Sequence, residues 1–123
     1  MKQLVFVFIG GGAGSIARFL ISKFLNTPDN TIPFGTLIVN TIGSLLIGII
    51  LGVALKYQSF SQNMVLLLTT GFCGGFTTFS AFAFENYDLL KSGDLTAFFV
   101  YTLASIIIGF TFVFAGVWLV KFL

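Results

Sequence analysis

Histidine is absent from this chain, cysteine occurs once, at Cys73, and only ten of 123 side chains carry a formal charge. No His or Cys metal constellation, Cys–His or Ser–His nucleophile pair, or intrachain disulfide can be assembled from such a set. Six Lys or Arg against four Asp or Glu give a net charge of +2, spread along the chain without the basic cluster that nucleic acid requires. The carboxylates are Asp29, Glu85, Asp88 and Asp94, three of them within ten residues near one membrane face. Acid–base catalysis therefore has few groups to draw on, and the chain is read as not an enzyme. Charged residues make up 8% of it, where a soluble domain carries about a quarter, and 57% of it is hydrophobic. It is a membrane protein.

The sparse charges divide the sequence into uncharged runs at 3–17, 30–55, 57–84 and 95–120, of 15, 26, 28 and 26 residues. A bilayer core takes roughly 20 apolar residues of helix to cross, so each of the last three runs suffices for one span. The first is too short by itself. Phe19, Leu20, Ile21 and Phe24 continue its apolar pattern beyond Arg18, which puts that arginine within the membrane thickness. Lys2, the apolar run and the small residues at Gly12 to Gly14 have some look of a cleaved signal peptide. The apolar segment resumes after Arg18 and three more spans follow, so it is read as a span. The expected fold is all-α and integral to the membrane, a single four-helix transmembrane domain over residues 1–123. Its helices are expected at about 3–25, 34–55, 62–88 and 95–121. Pro28 and Pro33 with their Asn, Thr and Asp neighbours punctuate the first loop, Lys56 to Ser61 the second, and Lys91-Ser92-Gly93-Asp94 the third.

Four thin spans leave no room for a pore within one subunit, so a functional site is expected to be shared between copies. Orientation is normally set by Lys and Arg in the loops. Here one side collects Lys2, Lys56 and Lys121, and the other collects Lys23 and Lys91, plus Arg18 if it is counted there. A chain without bias inserts both ways, and an antiparallel homodimer of dual topology is the natural assembly.

Several residues stand out. In helix 2, Thr36, Asn40, Ser44, Gly48 and Gly52 recur every four residues on one helical face. The glycines, like Gly10 and Gly14 of helix 1, read as close-packing positions. Asn40 is different, because an amide in mid-membrane is costly unless partnered, which makes it a functional candidate. Helix 3 is expected to break near its middle, where Gly71, Gly74 and Gly75 are followed by Thr77-Thr78-Phe79-Ser80. A broken membrane helix is either an ion or substrate site or a packing kink. Phe79 and Phe82 lie three apart in the polar neighbourhood of Thr77, Thr78 and Ser80. An aromatic edge is positive and weakly favours an anion, whereas a cation prefers the face. Tyr101, Ser105 and Gly109 form a possible hydroxyl track on helix 4. Glu85, one turn beyond Phe82, belongs either to a pore mouth or to the membrane boundary with Asp88.

Three segments taken together carry a resemblance. They are Gly10-Gly11-Gly12-Ala13-Gly14-Ser15-Ile16-Ala17-Arg18-Phe19, Gly35-Thr36-Leu37-Ile38-Val39-Asn40-Thr41-Ile42-Gly43, and Gly71-Phe72-Cys73-Gly74-Gly75-Phe76-Thr77-Thr78-Phe79-Ser80-Ala81-Phe82. In this order, in a four-span chain, they resemble the Fluc (CrcB) family of bacterial fluoride channels over essentially the whole length. The resemblance implies a dual-topology antiparallel homodimer with two fluoride pores, each lined by both subunits. It implies that Phe79 and Phe82 bring ring edges to the ion, that Asn40 donates to it, and that Arg18 supports an aqueous vestibule. It further implies a structural sodium ion at the dimer centre, held by backbone carbonyls of Gly74 and Thr77, and a hydroxyl track at Tyr101 and Ser105 with Ser80 nearby. Ala81 stands where the family frequently has threonine, and Gly109 where the track can continue with serine. The expected pore set is thus Thr36, Asn40, Phe79, Ser80, Phe82, Tyr101 and Ser105, with Arg18 and Glu85 at the vestibule. The expected partners are fluoride, a second copy and the lipid bilayer of the cell inner or plasma membrane. A small multidrug exporter of the proton-coupled kind is the main rival, and needs a membrane-embedded carboxylate that helices 1, 2 and 4 lack. A structural assembly subunit is the other.

Overall fold

The computed structural model describes residues 1–57 and 60–123. Residues 58 and 59 of the loop read at Lys56 to Ser61 lie outside the described residues. Among the described residues the regular structure is all helical, with four segments long and apolar enough to cross a membrane: Lys2–Leu25, Phe34–Lys56, Gln62–Ser92 and Leu95–Phe122. The first two spans are helices α1 (Lys2–Leu25) and α2 (Phe34–Lys56). The third is composite: α3 (Gln62–Leu66), a π-helical stretch Leu67–Cys73, α4 (Gly74–Phe76), and, after a gap, α5 (Phe79–Ser92). The fourth is α6 (Leu95–Leu119) with a closing 3-10 turn Val120–Phe122.

The third span breaks two residues after the glycines expected to interrupt it. Gly71, Gly74 and Gly75 are helical, whereas Thr77 (ψ 158°) and Thr78 (φ −148°, ψ 118°) are extended. The glycines serve packing instead. Gly75 presses on the backbone of Gly11, and Gly10 and Gly14 press on the backbone of Leu67 and Phe72, so closely that any Cβ would overlap main-chain atoms. A helix pair this close gains dispersion and Cα–H contacts that no larger residue permits. Helix α1 therefore runs parallel to the third span. In the same way Gly48 and Gly116 bring α2 and α6 together along an extensive contact.

The turn from α5 to α6 is short because its sequence caps both ends. Gly93 adopts φ 81°, Gly93 N–H donates to the Leu90 carbonyl (3.1 Å) and Asp94 N–H to that of Leu89 (3.1 Å), a Schellman closure. Asp94 then caps α6 by accepting from Ala97 N–H (3.0 Å). This folds α5 onto α6 and builds the small core of Leu89, Ala97 and Tyr101, with Phe82, Leu37, Ile32 and Phe98 packed against it. Elsewhere large apolar side chains such as Phe8, Ile16, Phe110 and Phe114 point outward, more than half exposed, as lipid or another protein surface requires and water does not.

Candidate functional site

The break in the third span is held open by Asn40. Its Nδ2 donates to the Thr78 carbonyl (3.1 Å), and its Oδ1 accepts from Thr78 N–H (2.8 Å), so one side-chain amide imitates a strand partner for one extended residue. Gly43, one turn on, lets α2 approach closely enough, since a Cβ there would overlap the Thr77 methyl. Thr78 also starts α5, its Oγ1 accepting from Ala81 N–H (3.1 Å) and lying 3.3 Å from Ser80 Oγ. These bonds redirect two donors. Thr78 N–H goes to Asn40 instead of the Gly74 carbonyl four residues back, and Ala81 N–H goes to Thr78 Oγ1 instead of the Thr77 carbonyl. The carbonyls of Gly74 and Thr77 are thereby released from the helical ladder.

A second polar group lies toward the Gly93 end of the bundle. Glu85 Oε1 accepts from Thr36 Oγ1 (2.6 Å) and Oε2 from Tyr101 O–H (2.7 Å). Thr36 and Tyr101 are both buried, from different spans. Asn26 continues the network, its Nδ2 donating to Thr36 Oγ1 (3.2 Å) and its Oδ1 accepting from Gly35 N–H (2.7 Å), which caps α2 from a distance where Pro33 offers no side-chain cap. Beside it Asn86 donates to the Phe82 carbonyl (2.9 Å) and accepts from Thr102 Oγ1 (2.8 Å), tying α5 to α6.

Three cavities join these groups. The first, of 270 Å³, is lined by Arg18, Thr36, Glu85 and Thr78 among others. The second, of 360 Å³, contains Thr78, Asn40, Phe79, Gly74, Thr77 and Ser44. The third, of 270 Å³, contains Ser44, Ser105 and Gly109. Thr78 belongs to the first and second, Ser44 to the second and third. A line of polar groups thus runs along the side of the bundle from Arg18 and Glu85 past the break to Ser105. The buried Ser105 Oγ has no hydrogen-bond partner among the described residues.

The expected residues fall into this arrangement as follows. Thr36, Asn40 and Ser44 of the helix 2 stripe line the cavities, whereas Gly48 and Gly52 pack on α6. Arg18 shares a cavity with Thr36 and Glu85. Phe79 is 79% exposed at the mouth of the central cavity, 5.8 Å from the Phe82 ring, which in turn packs 5.2 Å from Tyr101. Ser80 is exposed beside Thr78. Tyr101 is fully buried against Glu85 and lines none of the three cavities, so of the expected hydroxyl track on α6 only Ser105 and Gly109 reach one. Asn26 had registered only as loop punctuation and Asn86 not at all. Their partners on other helices are nine to sixteen residues away, and only Asn86, following Glu85 directly in an apolar span, carries a local signal as an amide that must be partnered.

These features define a multi-pass membrane protein whose polar side chains line a groove along a helix broken between Phe76 and Phe79. Among known proteins, the family model described as "CrcB-like protein, Camphor Resistance (CrcB)" matches residues 5–117, and the chain belongs to this family. Its relatives include the "Fluoride-specific ion channel FluC" of Gloeothece citriformis, 45% identical over 98% of both chains. That of Leptospira interrogans is 42% identical over 98% of this chain and 95% of its own. The "Fluoride-specific ion channel FluC 1" of Yersinia pseudotuberculosis is 48% identical over 77% of this chain and 75% of its own.

Proposed function

We propose that this protein is a passive, fluoride-selective channel that works as an antiparallel homodimer, with two pores each closed by both copies, and that it lets fluoride leave the cytoplasm. The observation that carries the reading is the continuous polar line from Arg18 and Glu85 past Asn40 and Thr78 to Ser105, running along the side of the bundle and so needing a second surface to close it. The names of relatives more than 40% identical over nearly the whole chain supply the ion.

The chemistry fits a small, strongly hydrated anion. Moving such an ion into an apolar path costs tens of kcal/mol by Born estimates unless dipoles replace its water. Hydroxyls at Ser80 and Ser105, the amide of Asn40 and the ring edges of Phe79 and Phe82 are replacements without a full positive charge that would trap the ion. Asn40 has one amide N–H left after bonding Thr78, and that proton is the one available to an anion. Arg18 sits at one end of the line, where a fixed positive charge raises the local anion concentration. Thr36 and Tyr101 donate to both oxygens of Glu85, which damps its charge at that end of the groove. The same two bonds count against a proton-coupled exporter, whose carboxylate must be free to alternate between a proton and a cation.

A structural sodium ion fits the break. The carbonyls of Gly74 and Thr77, freed from helical bonding, are the hard oxygen donors such a cation prefers, and a second copy would complete the set. When bound, sodium supplies positive potential beside the groove. No catalytic step is involved: an inside-negative potential favours anion exit by about 2.3 kcal/mol per 100 mV.

The test is release of fluoride from liposomes holding the purified protein, triggered by a potassium ionophore and read with a fluoride electrode. Fluoride leaves and chloride stays if the proposal is right; equal release of both, or none of either, refutes it.

A further inference from the structure

The chain's basic residues are balanced between its two ends, but its acidic residues are not. Alternate spans put Lys2, Lys56 and Lys121 at the end where the sequence starts, with no acidic side chain, while Asp29, Glu85, Asp88 and Asp94 all fall toward the Gly93 end. At the basic end, Lys56 and Lys121 flank a cavity of 450 Å³ whose other walls are Gly52, Leu55, Val117 and Val120. The walls are apolar and the rim is cationic. Lys56 is set in place at the rim, its Nζ donating to the Val120 carbonyl (3.2 Å) and standing 5.5 Å from the centre of the Tyr57 ring. Two of its three protons stay free for another acceptor. Next to the cavity Trp118 and Phe122 pack edge to face at 4.7 Å, an aromatic pair of the kind that collects at the membrane–water boundary.

We infer that this cavity is a binding site for one anionic phospholipid, whose phosphate lies between Lys56 and Lys121 and whose acyl chain enters the apolar slot between α2 and α6. Complementarity of charge selects the headgroup. A site with two ammonium groups and no carboxylate matches a phosphodiester, and lysine binds phosphate as a point charge. The apolar walls select the lipid over a soluble anion, because Leu55, Val117 and Val120 offer nothing to a free phosphate. The lysine stems lie along the apolar wall and their heads reach the headgroup layer. The slot shares no lining residue with the groove of Asn40, Thr78 and Ser105, so the lipid is an annular ligand and not a pore component.

Basic residues at an anionic membrane surface each favour binding about fivefold, so the pair is expected to contribute about 30-fold. The experiment titrates the purified protein in detergent with phosphatidylglycerol or phosphatidylcholine and counts retained lipid by native mass spectrometry. Wild type is expected to retain phosphatidylglycerol in preference to phosphatidylcholine. Lys56→Gln with Lys121→Gln should lower phosphatidylglycerol retention about 30-fold, leave phosphatidylcholine unchanged and preserve monodisperse elution. If that double variant does not fold, Lys121→Gln alone reads the same site at about fivefold. Lys23→Gln with Lys91→Gln, at the opposite end, should change nothing. The proposal is overturned if the Lys56 and Lys121 variants retain phosphatidylglycerol as wild type does. It is equally overturned if the Lys23 and Lys91 pair loses as much, or if inorganic phosphate displaces the lipid at the lipid's own concentration.

Discussion

Asn40→Ala separates a residue that builds the groove from one that only lines it. The substitution removes both bonds that Asn40 makes to Thr78, at 3.1 and 2.8 Å, and leaves an extended N–H and C=O within the membrane thickness. Each buried backbone group without a partner costs about 1–3 kcal/mol, and the open groove admits water that offsets part of this, so the expected destabilisation is about 2–4 kcal/mol. Asn40→Asp should fall between alanine and wild type. It keeps an acceptor for Thr78 N–H but turns a second acceptor toward the Thr78 carbonyl. Unfolding in mixed micelles with increasing SDS, followed by fluorescence of the single tryptophan Trp118, gives the stability, and fluoride release from liposomes gives the flux. Asn40→Ala is expected to lose both. If it loses flux yet unfolds within about 0.5 kcal/mol of wild type, a range typical of surface changes, Asn40 is a pore contact and not the support of the break.

Phe79→Ile and Phe82→Ile, which stay apolar but lose the ring edge, should suppress flux; Phe79→Ile, at an exposed position, should leave stability unchanged in the same SDS titration. Gly75→Ala should destabilise by about 1–3 kcal/mol or more through overlap with the Gly11 backbone, whereas Gly12→Ala, with open space at its Cβ, should match wild type. Tyr101→Phe removes one of two donors to Glu85 while keeping the packing on Phe82, and is expected to lower flux and cost about 1–3 kcal/mol. A double-mutant cycle of Asn86→Ala and Thr102→Val should return a coupling of about 0.6 kcal/mol, the usual size for a side-chain bond between membrane helices.

Spans were legible in the sequence because charge and proline are costly in hydrocarbon and so mark the loops. Residues Lys56, Lys91 and Asp94 fall at helix ends for this reason. The break was legible only to within a few residues. Glycine weakens a helix in water, so Gly71, Gly74 and Gly75 drew the expectation. In a membrane the backbone has no competing water, and glycine instead serves close approach, as Gly75 does against Gly11. The chain departs from helix at Thr77–Thr78 because Asn40, 38 residues earlier, supplies the bonds that an extended residue needs there. No local pattern encodes such a partner. The same holds for Glu85, which local reading left between pore mouth and boundary. Its donors come from α2 and α6, 49 and 16 residues away, and the fold had to bring them together before its role as the centre of a hydrogen-bonded network emerged. The helix 2 stripe was legible because period four groups residues on one face, and its glycines Gly48 and Gly52 pack on α6 and the turn after it as small residues at that spacing suggest.

Passive, selective conduction of fluoride is tested most directly by a planar bilayer holding the protein between a tenfold fluoride gradient and equal chloride. The current should reverse at about 59 mV, the equilibrium potential for a univalent ion at this ratio, and should not move when a pH gradient is imposed. Reversal near zero, or a reversal potential that follows chloride or protons, contradicts it.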